Sequence, residues 1–263
     1  MDTVVGELVS RLAIEPERIM LVGAECRDVL HAALGHDFAV GATDDTDIGI
    51  ALPEWSTYEH ISATFPHLGD TGVRFAIGGV KVDVMPFGAV ENPDGVVSPR
   101  ARGESLSVFG FDDVFARALP LPLPSGHVIR IPTVAGYAAL KLRAWIDRSA
   151  YGQTKDGKDL ATVLFWYFED PSVTERLYGS DDALALLEKL DWDQDLGAAR
   201  LLGADIRDQL TAVNATDLRT RWASTDVRLL ARYLSLPAST RWTADSRRRL
   251  DLIAAMVDGL SLG

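Results

Sequence analysis

The sequence predicts an α+β fold, a mixed sheet flanked by helices in the front half and a mainly helical back half. Three observations carry that prediction. Short apolar or alternating runs bounded by turn residues recur at 18–22, 43–52, 73–85 and 128–131. Apolar residues three and four apart then dominate from 133 to 260. Between the two regimes lies LPLPLP at 119–124, a stiff extended connector, because each proline fixes its own φ and restrains its predecessor. A break there gives expected domains of 1–124 and 125–263, the second completing a site formed by the first.

The elements follow in order. The start, MDTVVGELVSRLAIEPERI, carries acids and no basic leader before an apolar stretch, so it reads as an amphipathic helix and not as a secretory signal. The apolar run 18–22 is a strand entering a tight turn at Gly23. Cys26, Val29, Leu30, Ala33 and Leu34 then share one helical face, and Gly35 stops the helix. Residues 43–52 form an alternating strand, and Pro53 and Glu54 open a helix through Ile61. Residues 73–85 are a β-hairpin about Gly78-Gly79, a pair suited to positive φ. The Gly- and Pro-rich stretch 86–99 is expected as loop or short strand. A strand at 128–131 precedes helices at 133–146, 156–168, 181–190, 196–210, 226–234 and 245–260.

The chain has 263 residues, 47% apolar and 24% charged, enough to bury a sizeable core. Its net charge of −12 argues against indiscriminate binding to nucleic acid or an anionic membrane. No apolar run is long enough to span a bilayer. With a single cysteine, Cys26, there is no internal disulfide to expect. A cytoplasmic protein with no membrane partner is the expectation. The five histidines show no HExxH spacing, so zinc is not expected.

Chemistry concentrates in three acids. Asp45 and Asp47, two apart on a strand, point the same way about 6.6 Å apart, with Thr46 on the other face. Ile48, Ile50 and Leu52 then share the Thr46 face, and small Gly49 and Ala51 leave room for a ligand. Asp83 sits between Val82 and Val84 in the return strand, where an unpaired carboxylate is costly. If that strand lies beside 43–52, three carboxylates converge. Two like charges about 4 Å apart repel by roughly 4 kcal/mol at an effective dielectric near 20, which calls for cations. Hard divalent ions suit such oxygen ligands, and two Mg²⁺ about 3.5–4 Å apart suit in-line phosphoryl chemistry. Gly23 and Ala24, at a strand-to-helix junction, would let backbone N–H groups approach a phosphate.

The segments LVGAECRDVL, ATDDTDIGIAL, VDVMPFG, ALKLRAWIDR and KDGKDL, in that order, resemble the DNA polymerase β-like nucleotidyltransferase superfamily. Within it the chain looks like the bacterial branch of AbiEii-type toxins, over roughly residues 18–168. The resemblance implies a nucleotidyltransferase-like core and transfer of a nucleoside monophosphate from an NTP to an acceptor hydroxyl. Asp45, Asp47 and Asp83 would bind Mg²⁺, Gly23, Ala24 and Thr43 would line the nucleotide, and Lys141 would contact its phosphates. Asp159, or less readily Asp156, would be the acid of the downstream motif. It further implies tRNA or another RNA as acceptor, as in toxin–antitoxin tRNA modification, and a cognate antitoxin as partner. Ala24 departs from the pattern, which carries glycine or serine there, so a phosphate-binding hydroxyl is missing.

Each signal has a plainer alternative. Asp45 and Asp47 could be a solvated turn, and Asp83 an acid paired with Lys81 or Arg74. Lys141 could be a snorkelling lysine, and Asp156 and Asp159, with Lys155, a helix start with an i,i+4 charge pair. Arg27–Asp28 reads as a structural pair, Trp166-Tyr167-Phe168 as core, Cys26 as a buried filler, and Arg247, Arg248 and Arg249 as a solvated face. An aminoglycoside- or lincosamide-type acceptor, or a non-catalytic nucleotide sensor, are the rival functions.

Overall fold

The computed structural model describes residues 1–41 and 45–261. Contacts divide the chain into two compact units, Met1–Val29 with Gly41–Thr133, and Leu30–Val40 with Val134–Gly263. The architecture is α+β, with a mixed sheet in the first unit and helices throughout the second. The LPLPLP stretch lies inside the first unit and ends nine residues before the division at 133/134, so the contacts do not divide where its stiffness suggests.

In the first unit, helix α1 (Asp2–Leu12) precedes strand β1 (Ile19–Val22), which runs directly into α2 (Gly23–Ala33), whose residues from Leu30 onward count with the second unit. Strand β2 (Thr46–Leu52) and helix α3 (Trp55–Thr64) follow, then the hairpin β3 (Arg74–Ile77) and β4 (Val80–Gly88). A two-stranded ribbon, β5 (Val96–Val97) and β6 (Leu106–Ser107), and the short helix α4 (Phe111–Ala116) lead to β7 (Leu119–Pro122) and β8 (Val128–Ile131). The six-stranded sheet has the order β3-β4-β2-β1-β8-β7. Strand β2 is antiparallel to β1 and parallel to β4. Ile19, Leu21, Ile48, Ile50, Val82 and Val84 are buried, as are Val4, Val5 and Leu8 of α1. The expected start of β2 at Thr43 and Asp44 lies outside the described residues.

Two stretches whose pairing the sequence leaves open are paired strands. The LPLP segment pairs antiparallel with β8, Leu119 opposite Ile131 and Pro122 opposite Val128. It is the outermost strand, where a residue lacking an N–H breaks no ladder on its open side. Strand β4 continues past Met85 to Gly88, following β2 to the pair Leu52–Gly88. The Val84 N–H donates toward Val73. Directions repeat every two residues, so the missing N–H of Pro86 falls on that same side, beyond the end of β3. The short-strand reading of 86–99 therefore holds at 86–88 and at Val96–Val97, with loop between them.

The second unit contains α5 (Val134–Arg148), α6 (Asp156–Glu169), α7 (Pro171–Tyr178), α8 (Asp181–Lys189), α9 (Gln194–Gln209), α10 (Ala212–Trp222), α11 (Val227–Tyr233) and α12 (Ser246–Ser261). Nearly all of α6 is buried, including Trp166 and Tyr167. Helices α9 and α12 touch backbone to backbone. A Cβ built on Gly203 would lie 1.8 Å from the Met256 carbonyl oxygen, and one on Gly259 would lie 1.9 Å from that of Arg200. Helices α7 and α10 were not anticipated. Each begins at a polar cap, Asp170 or Thr211, and buries one apolar pair a turn apart, Val173 with Leu177 or Leu218 with Trp222.

The His31 ring joins the same unit's core. Its Nδ1 accepts a hydrogen bond from the Trp166 indole at 3.0 Å, and its Nε2 lies 3.0 Å from the Phe38 carbonyl. An indole only donates and a carbonyl only accepts, so the ring is neutral with its proton on Nε2. No helix among the described residues is long and apolar enough to cross a membrane.

Candidate active site

Sheet register assembles the first-unit site. Strands β2 and β4 pair Asp47 with Asp83, β4 and β3 pair Asp83 with Arg74, and β1 and β2 pair Val22 with Asp47. Residues opposite one another in a sheet share a face, so Asp47, Asp83 and Arg74 form one row. Asp45 lies two residues before Asp47, immediately ahead of β2. Thr46 is buried and points away, its hydroxyl donating to Glu25 at 2.8 Å. The alternation expected for 45–47 is therefore present.

Gly23 meets the row from the end of β1. Its φ is +68°, in the left-handed region that favours glycine, and a Cβ there would lie 1.9 Å from Asp47 Oδ2. Strand end, turn and Asp47 carboxylate are thus in direct contact, at the first residue of α2. Ala24 follows within the helix.

The room expected at Gly49, on the aspartate face of β2, is not there. A Cβ on Gly49 would sit 3.1 Å from Phe87 and 3.2 Å from Phe111, so aromatic rings from β4 and α4 already fill that position. On this face Asp45, Asp47 and Ala51 are partly exposed and Gly49 is covered.

Arg74 is the residue that the sequence reading undervalued. Its Nε donates to Asp83 Oδ1 at 2.7 Å, and its Nη2 donates to Asp83 Oδ2 at 2.8 Å and to Asp45 Oδ2 at 2.7 Å. The pairing considered for Asp83 as the plainer alternative is present, and it extends to Asp45. The signal was available. A two-residue turn at Gly78-Gly79 puts 77 opposite 80 and, counting outward, Arg74 opposite Asp83. Hydrogen bonding to Asp83 leads the effects that raise the guanidinium above its ordinary value, with Asp45 and Asp47 adding to it. The group is open to water, since Arg74, Asp45 and Asp83 keep 31%, 32% and 19% exposure. Tyr58 of α3 stands behind, its hydroxyl 3.3 Å from the Val84 carbonyl, its phenol pushed up by burial and by Asp83.

Does this set suit a divalent cation? The donors are hard carboxylate oxygens. A single nitrogen, Nη2, lies within 2.8 Å of carboxylates from two different segments, which marks a point where one cation is held by both. Among the described residues no group of three or more His, Cys, Asp or Glu is arranged to hold a metal as it stands. The donor chemistry fits, and a guanidinium stands at the point of convergence.

The remaining predicted residues form a separate cluster within the second unit. Lys141 of α5 is 12% exposed, and its ammonium pairs with Asp159 at 2.5 Å and with Asp156 at 3.3 Å. Burial pulls the ammonium down, but the two carboxylates outweigh it and hold it above its ordinary value. Asp156 and Asp159 do stand in the first turn of α6, but they are 0% and 5% exposed and their partner is Lys141, itself too buried to snorkel freely. Asp156 Oδ2 has no hydrogen-bond partner among the described residues, and Arg148 Nη1 stands 4.0 Å away.

Of the other readings, Arg27 binds Asp28 at 2.7 Å, as expected of a structural pair, and Cys26 is fully buried. The arginine run is only partly a solvated face. Arg247 is exposed, but Arg248 forks onto Asp193 and Arg249 donates to the Thr243 and Ala231 carbonyls. Thr43 lies outside the described residues. No family model and no curated protein matches this chain.

Proposed function

We propose that the chain is a metal-dependent nucleotidyltransferase that moves a nucleoside monophosphate from an NTP to an acceptor hydroxyl. The observation carrying the reading is Asp47, in register with Asp83 and pressed against the positive-φ turn at Gly23. Asp45, Asp47 and Asp83 would hold Mg²⁺, in keeping with their oxygen-only chemistry. Bound there, two such ions supply Lewis-acid stabilisation of charge on the triphosphate.

The chain's own groups do the rest. Backbone N–H groups at Gly23 and Ala24, at the positive end of α2, hold phosphate oxygens. Asp83, on the neighbouring strand, takes the proton of the acceptor hydroxyl as the hydroxyl oxygen bonds to the α-phosphorus. The bond to the β-phosphate breaks, with pyrophosphate leaving. The phosphate contact that the resemblance gives to Lys141 belongs to the same proposal, although its ammonium is bound by Asp156 and Asp159. The tRNA 3′ end, another RNA and a cognate antitoxin are proposed partners on the strength of the resemblance alone.

Two observations favour rivals. The net charge of −12 favours a small hydroxylated acceptor over a polyanion. The three hydrogen bonds of Arg74 favour a non-catalytic protein whose acids are a structural ion-pair network. The test is incubation of the protein with Mg²⁺, each of four labelled NTPs, and tRNA or an aminoglycoside, beside an Asp47→Asn control. Label transfer that the control lacks supports the proposal, and the acceptor labelled identifies the class. No transfer to any acceptor favours the structural reading.

A further inference from the structure

We infer that Arg74 is the resident counter-ion of the carboxylate set, competing with a divalent cation for Asp45 and Asp83. The inference rests on the nucleotidyltransferase reading and names how that site is regulated.

The geometry points to competition and not to a distant electrostatic influence. Nη2 donates to both Asp45 and Asp83, so the guanidinium takes up the lone pairs that a metal bound between these two acids would need. The fork onto Asp83 uses both of its oxygens, which fixes the group's orientation as well as its charge. Without a cation, Asp45, Asp47 and Asp83 would repel one another across adjoining strands, and Arg74 relieves this using a residue built into the hairpin.

An arginine at this place does not seal the site. The side chain retains 31% exposure and stems from the first residue of β3, at the edge of the sheet. Rotation about its own torsions takes the guanidinium off the acids without moving a strand. A metal must therefore displace an intramolecular cation that never dissociates from the chain, which weakens metal binding to the protein alone. Arriving with a triphosphate, the metal brings anionic oxygens to which the released guanidinium can turn.

The test measures Mn²⁺ binding in the absence of nucleotide, by calorimetry and by the electron paramagnetic resonance of the free ion. Arg74→Gln removes the charge, keeps a polar side chain, and should bind Mn²⁺ about tenfold tighter than the unaltered protein. Arg74→Lys keeps a charge but loses the fork, and should fall between the two. It also serves if the Gln variant does not fold. Adding Asp45→Asn to Arg74→Gln should abolish the gain. Unchanged or weaker Mn²⁺ binding in both Arg74 variants overturns the inference. If that occurs while Asp47-dependent label transfer persists, the nucleotidyltransferase reading stands without it. Tighter Mn²⁺ binding with no label transfer to any acceptor has the opposite meaning, a cation site without the proposed reaction. No Mn²⁺ binding in any variant overturns both.

Discussion

Asp47 touches Gly23: the carboxylate oxygen Oδ2 occupies the space where a side chain at 23 would begin, 1.9 Å from an ideal Cβ. This contact links the strand-to-helix turn to the acidic row, and a methyl group tests it. Gly23→Ala must accept φ of +68° and push Asp47 aside. We expect a stability loss of about 1–3 kcal/mol in urea unfolding, together with loss of label transfer. A variant that retains full transfer would show that Asp47 does not have to stand where it does.

How far this site could be read in advance depended on the range of the signal. Asp45, Asp47 and Asp83 were legible because strand alternation and a two-glycine turn are local patterns. Register then follows by counting, and Arg74 opposite Asp83 was one count further. The crowding of Gly49 by Phe87 and Phe111 was not legible, since those rings come from 38 and 62 residues away along the chain. The same holds for Asp156 and Asp159, which read as a helix start with an i,i+4 charge pair until α5 brings Lys141 to them. Strand β7 was visible as extended chain but not as a paired strand, because its partner, not its own composition, defines it.

Lys141 is a test of stability before it is one of catalysis. Lys141→Met would leave Asp156 and Asp159 buried without their ammonium, at a cost of about 3–5 kcal/mol. Because its ammonium is held above the ordinary lysine value, its contribution is full below pH 10.5 and is lost as pH rises through the folded value. Adding Asp156→Asn and Asp159→Asn should recover much of the lost stability, because no charge is then stranded. Thermal unfolding of both variants decides the matter. A Lys141→Met protein as stable as the parent would mean that the two acids find another partner.

Gly203 and Gly259 set the approach of α9 and α12. With a Cβ only 1.8 Å from the Met256 carbonyl oxygen, Gly203→Ala forces the two helices apart. The expected cost is about 1–3 kcal/mol from overpacking. Gly6→Ala is the control, because a Cβ there meets nothing within 4 Å, and it should not destabilise. Equal melting temperatures for Gly203→Ala and the control would show that the crossing has slack.

Asp193 supplies a pH-dependent brace for the second unit. Its carboxylate caps α9 through the Leu196 N–H at 3.1 Å and receives both prongs of Arg248 at 2.6 and 2.7 Å. Burial alone would raise this carboxyl, but the hydrogen bonds from Arg248 and Leu196, with the arginine's charge, hold it below its ordinary value of 3.8. A depressed carboxyl stabilises the fold fully above the unfolded value and loses that contribution as pH falls through the folded one. Asp193→Asn keeps a competent cap and removes only the charge. It should therefore cost about 1 kcal/mol at pH 7, within the range for a partly exposed pair. The gap between the two proteins should close as the pH is lowered below 3.8, followed by urea unfolding from pH 7 toward pH 3. A gap that stays constant over that span would mean that the loss comes from packing and not from the ionised carboxylate.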